Sequence, residues 1–156
     1  MGRVLGYAMT SDNSPLSGFD SESRSWIDSL ESAVQMAGGV NIDCYGAGSY
    51  GLPVLDIKET ELMKTALPES CRVFSVPRLI GSASGSVGCY GLLGCLYSLK
   101  ENRTPGENAL NDPERTGELK DCFAKMAGRT CGNELKTAAV SCPSFGGSYT
   151  TVIIGK

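Results

Sequence analysis

Two hydrophobic periods alternate along the chain. Residues 3–10 hold a strand-like core, Val4-Leu5-Gly6-Tyr7. Residues 12–19 are polar, with Pro15 and Gly18, and read as a loop. Trp26, Ile27, Leu30, Ala33, Val34 and Ala37 then recur at helical spacing, and Gly38-Gly39 stops the helix. Residues 40–45 form a short apolar run and predict a second strand. Residues 46–53 are turn-rich. Asp56-x-x-Glu59 has the form of a helix N-cap with a reciprocal capping side chain, and Ile57, Leu62, Met63 and Ala66 supply a packing face up to Pro68. Residues 71–76 predict a third strand.

Residues 84–99 are the next landmark. They carry no charge and no polar face, and a helix apolar all round must be covered on all sides. Their glycines would be costly in an exposed helix, so they predict the close approach of another helix. Residues 102–117 are a polar connection with two prolines, after which Leu119, Cys122, Phe123 and Met126 suggest a short amphipathic helix. Residues 137–141 and 149–154 predict two final strands, joined by a turn over 143–148. The order β-α-β-α-β-α followed by β-β implies a mostly parallel sheet with crossover helices and an antiparallel portion at the end.

Composition narrows the function more than the fold. The 156 residues suit one domain over 1–156, with 41% hydrophobic and 20% charged positions. A net charge of −3 supplies no basic surface for nucleic acid. No run is long enough to span a bilayer, and the first residues lack a signal-peptide core, so the expected location is cytoplasmic. Seven cysteines form no Cys-x-x-Cys pair, and there is no histidine. Zinc spacing, a Cys–His dyad and a Ser-His-Asp triad are all excluded by that composition. The glycine-rich residues 81–88 lack the lysine of a phosphate loop. No metal and no cofactor is implied, and the cysteines read as small buried residues.

Three short motifs carry a resemblance. They are Tyr45-Gly46-Ala47-Gly48-Ser49, then Ser75-Val76-Pro77-Arg78-Leu79-Ile80-Gly81-Ser82, and finally Ser144-Phe145-Gly146-Gly147. In order and rough spacing they resemble the second half of a β-ketoacyl-ACP synthase. There the first motif reads His-Gly-Thr-Gly-Thr and the second Ser-Val-Lys-Ser-x-Ile-Gly-His. The resemblance covers nearly the whole chain and implies an α/β fold. That fold is one half of a thiolase-like pair, with a mixed sheet of about five strands flanked by helices. It places Tyr45 and Ser82 where the family has its two histidines, and Pro77 where it has a buried lysine. That lysine pairs with the family's equivalent of Glu59, and Arg78 lies one position along. Phe145, Gly146 and Gly147 correspond to the turn that shapes the acyl site.

The resemblance also implies what is missing. The nucleophilic cysteine of the family belongs to the other half. Two imidazoles that polarise the thioester and assist decarboxylation are replaced by hydroxyls. A hydroxyl can donate to an oxyanion but cannot exchange protons near neutral pH. Three readings follow. The first is a non-catalytic subunit that completes the fold of a partner, as chain-length-determining partners do, in fatty acid or polyketide biosynthesis. The second is a subunit of an active acyltransferase whose nucleophile is on another chain. The third is a self-associating binding or scaffold module. The expected partner is a ketosynthase N-terminal-half protein or a second copy, with acyl carrier protein as a further candidate. The contact is expected at the apolar helix, through Val87, Gly88, Gly91, Leu92, Leu93, Gly94 and Leu96.

Overall fold

A computed structural model describes residues 2–16, 18–49, 51–81, 84–106 and 134–156. Five strands form one sheet: β1 (Arg3–Ser11), β2 (Cys44–Gly46), β3 (Arg72–Phe74), β4 (Thr137–Ser144) and β5 (Ser148–Gly155). Their spatial order is β1-β5-β4-β2-β3. The β2–β3 and β2–β4 ladders are parallel, and β5 runs antiparallel to both β4 and β1. Four strands therefore share one direction and β5 opposes them. This is the mixed sheet expected of a thiolase-like half.

The helices are α1 (Ser25–Met36), α2 (Pro53–Ala66), the single turn α3 (Val76–Ile80) and α4 (Val87–Glu101). Alternation along β4 separates them onto two faces. Ser141 accepts from the indole of Trp26 on α1, whereas its neighbour Val140 faces Gly91 on α4. Helix α1 buries Trp26, Ile27, Leu30 and Ala33 against β1 and β5, and α2 packs beside it. Gly38 and Gly39, at φ of 83° and 74°, return their amides to Gln35 and Val34 and end α1.

Three details differ from the sequence reading. Helix α2 starts at Pro53, whose fixed φ suits the first helical position. Asp56 and Glu59 thus lie inside the helix and are buried, so they do not cap it, while Ile57 is exposed. Strand β3 ends at Phe74, because Pro77 in the first turn starts α3. The glycines of α4 serve close approach within this chain. A Cβ at Gly91 would strike Val140, one at Gly94 would strike Phe74, and Gly88 faces Cys142. They seat α4 on its own sheet, whereas the residues that face away are Leu93 and Leu96. Val87 and Leu92 are half-buried. The amphipathic helix expected near 119–126 lies outside the described residues, as does most of the connection before it.

Candidate functional site

The three motifs meet at one end of the sheet, at the carboxyl ends of the parallel strands, where α/β folds place their ligands. The Tyr45–Ser49 motif leaves β2 and runs against β4. A Cβ on Gly48 would collide with the Ser141 carbonyl and touch Pro143. The amide of Ala47 donates to the Phe74 carbonyl at 2.7 Å, which ties the first motif to the end of β3.

Glu59 is the hub of this end. Its Oε1 accepts from the Tyr45 hydroxyl at 3.0 Å and from the Gly48 amide at 2.8 Å, and its Oε2 accepts from the Ser49 amide at 2.9 Å. Burial raises its pKa, opposed by donors from Ser49, Gly48 and Tyr45. A raised carboxyl pKa marks catalytic groups elsewhere. Here both oxygens are occupied by the fold and the side chain has no exposure. Its geometry is that of a structural acceptor.

Tyr45 shares that confinement. It is fully buried, and burial with the adjacent Glu59 charge pushes its phenol well above its ordinary pKa of 10.0. The hydroxyl that stands where the family has its first histidine donates to Glu59. Ser82 lies outside the described residues. Arg78, one position beyond Pro77, reaches Asp56, at 2.5 Å, and not Glu59. Both partners are nearly buried, and the Gly51 amide also donates to Asp56. The single turn of α3 makes this possible: it rotates Arg78 toward α2, which an extended strand would not.

Phe145, Gly146 and Gly147 form the tight β4–β5 turn, both glycines at positive φ. The Phe145 side chain is 54% exposed and rests against Phe19, with ring centroids 5.4 Å apart. Asp12, Ser14, Leu16 and Phe19 lie against this turn. Asp12 donates its amide to the Gly147 carbonyl, and its carboxylate accepts from Tyr149 and from the Ser14 amide. Lys58 of α2 donates to the carbonyls of Asp20 and Ser23 and holds the segment from beneath. Sequence reasoning missed this clasp, and it missed the buried chain from Trp26 through Ser141 and Thr151 to Ser29, with donor–acceptor distances of 2.6–2.8 Å.

No thiol at this end has a histidine to activate it. Burial, then the Glu59 charge, pushes the Cys142 thiol up to about 12, so it stays protonated. Among the described residues no cluster of His, Cys, Asp and Glu is arranged to hold a metal ion, and no helix is long and apolar enough to cross a membrane.

Comparison with known proteins agrees with this architecture. The family model described as "Beta-ketoacyl synthase, C-terminal domain" matches residues 1–111. The chain belongs to that family. No curated protein sequence matches it. Among solved structures, it is similar to the ishigamide ketosynthase/chain length factor, at 18% identity and a TM-score of 0.74 over 98% of this chain. It is also similar to a ketosynthase in complex with its chain length factor from Xenorhabdus doucetiae, at 21% identity and a TM-score of 0.74 over 99% of this chain. A third is a type II polyketide synthase acyl-carrier protein in complex with its ketosynthase bound to the hexaketide, at 16% identity and 0.74 over 99%. At such identities the likeness establishes the fold. The chain spans only 37%, 39% and 38% of those chains, respectively.

Proposed function

We propose that this chain is a non-catalytic β-ketoacyl synthase-like subunit of polyketide or fatty acid biosynthesis, working in the cytoplasm as a fold-completing or chain-length-factor-like partner. The observation that carries this reading is the Tyr45–Glu59 bond. At the position matching the family's first histidine, the side chain is buried and its hydroxyl already donates to Glu59. The chain has no histidine, and the Cys142 thiol at this end, pushed up to about 12, stays protonated near neutral pH.

The other half of the fold belongs, on this reading, to a separate chain that meets α4. The similar structures include ketosynthases with chain length factors and with an acyl-carrier protein, which supports a ketosynthase-type partner and carrier-bound substrates. A second reading, a subunit that still supports acyl transfer, is favoured by the convergence of the three motifs at one end of the sheet. One experiment separates them. The chain is co-expressed with ketosynthase-type chains from its source, and a complex that turns over acyl- and malonyl-carrier protein is isolated. Tyr45→Phe and Ser82→Ala are then introduced. The non-catalytic reading expects turnover unchanged within about threefold, whereas a loss of about a hundredfold or more in an intact complex assigns chemistry to those hydroxyls.

A further inference from the structure

Two thiols meet in the seam between α4 and the sheet. On β2, Tyr45 points to Glu59 of α2, so alternation turns its neighbour Cys44 to the α4 face. Register agrees. Cys44 pairs with Ala138, two residues before Val140, which lies under Gly91 of α4. On α4, Cys95 is one turn beyond Gly91 and next to Gly94, two glycines that touch the sheet. Its Sγ donates to the Ala139 carbonyl at 3.5 Å, and the Gly46 amide and the Cys44 thiol stand beside it. Both cysteines are free thiols, and neither has any exposure.

The helix comes closer here than larger side chains would permit. A Cβ on Gly91 would strike Val140, and one on Gly94 would strike Phe74. The backbone of α4 therefore rests directly on the side chains of the sheet, and the Cys95 sulfur reaches the sheet's own backbone. A disulfide joins Cα atoms only about 4.4–6.8 Å apart, so a helix can be tied to a sheet only where it is seated this closely.

We propose that Cys44 and Cys95 are a peroxide-sensitive pair that closes to a disulfide, tying α4 to β2, the strand that carries Tyr45. One thiol, as its thiolate, attacks an oxygen of hydrogen peroxide. The O–O bond breaks, and the departing hydroxide takes up the thiol's proton as water. The other thiol attacks the resulting sulfenic sulfur, the S–O bond breaks, and a second water leaves with its proton. Two thiols and one peroxide thus give one disulfide and two waters. A peroxide is the oxidant because it is little larger than water, as a buried pair requires. Burial first, then Cys44, push the Cys95 thiol well above its ordinary pKa of 9.0. Cys95 therefore stays protonated with α4 seated, and closure is slow at neutral pH and faster as pH rises.

The test is peroxide oxidation of the native full chain. Reduced protein is freed of reductant, exposed to hydrogen peroxide at mildly alkaline pH, blocked with iodoacetamide and digested without reductant for mass spectrometry. The expected product is a pair of peptides joined through Cys44 and Cys95, lacking two hydrogens relative to its reduced parts and split by dithiothreitol. The same product is expected from Cys89→Ser/Cys142→Ser, and it should be absent from Cys44→Ser and from Cys95→Ser. A native chain that forms no such bond, or that joins other cysteines in its place, overturns the proposal. So does a Cys44–Cys95 bond that forms only after the chain is unfolded in urea.

Discussion

The two faces of the sheet are built to different degrees of completion. On the α1–α2 side Trp26, Leu30, Leu55 and Leu62 are enclosed by this chain, and several buried polar groups bond in place, although the Thr60 hydroxyl has no partner among the described residues. Trp26, Ser141, Thr151 and Ser29 bond in a row, and Glu59 collects three donors. On the other side α4 lies over β4 and β2, and among the described residues Leu93, Tyr7 and Met9 are exposed. The closed face holds the Tyr45 position, whereas the α4 face leaves large apolar side chains in water.

Substitutions can break this contrast. Glu59→Leu should have the largest effect, because it strands the Gly48 and Ser49 amides and the Tyr45 hydroxyl in a dry interior. A loss of about 3–5 kcal/mol is expected in urea unfolding. A loss under about 1 kcal/mol would mean that water reaches Glu59 and that the closed face is not closed. Next comes Gly94→Ala, whose methyl has no room beside Phe74. It should cost about 1–3 kcal/mol by lifting α4 from the sheet. Gly88→Ala, with only ordinary contact to Cys142, should be neutral or stabilising by about 0.5 kcal/mol. Equal effects at the two glycines would contradict the seating of α4 described above.

The pH dependence sharpens the same point at smaller amplitude. Burial raises the pKa of Glu59 above its ordinary value of 4.5, so the folded state holds that proton more tightly than the unfolded chain. Its contribution to stability is complete below 4.5 and is lost as pH rises through the raised folded value. Chemical denaturation of Glu59→Gln across that window should lack this component while the wild type keeps it. Parallel curves for the two proteins would remove Glu59 from the account. The smallest effect is expected on the α4 face. Leu93→Asp should change the stability of the single chain by less than about 0.5 kcal/mol, since Leu93 already stands in water.

Much of this was legible in the sequence, though unevenly. Helix α1 showed its apolar spacing and its double-glycine stop, and the final hairpin showed its turn. The uniform apolarity of residues 84–99 marked α4 as a covered helix. It did not show which side faced the sheet, since a stripe apolar all round has no periodic asymmetry. Only the positions of Val140 and Phe74 assign Gly91 and Gly94 inward and Leu93 outward. The start of α2 was misplaced because Asp56-x-x-Glu59 has the form of a cap, while Pro53 had already begun the helix. The role of Glu59 was hidden for a different reason. Two of its three donors are backbone amides, which leave no trace in side-chain chemistry. The partner of Arg78 was not legible because it depends on the single turn of α3, which follows the strand and aims the side chain at Asp56.

The most direct test of the central claim is a decarboxylation assay. The purified full chain is incubated with malonyl-carrier protein at neutral pH, and release of carbon dioxide is followed against a protein-free control. The account predicts the two rates to be equal, because the Tyr45 hydroxyl is buried on Glu59 and the chain has no histidine. Release above the control, abolished by Tyr45→Phe in a chain that remains folded, would contradict it.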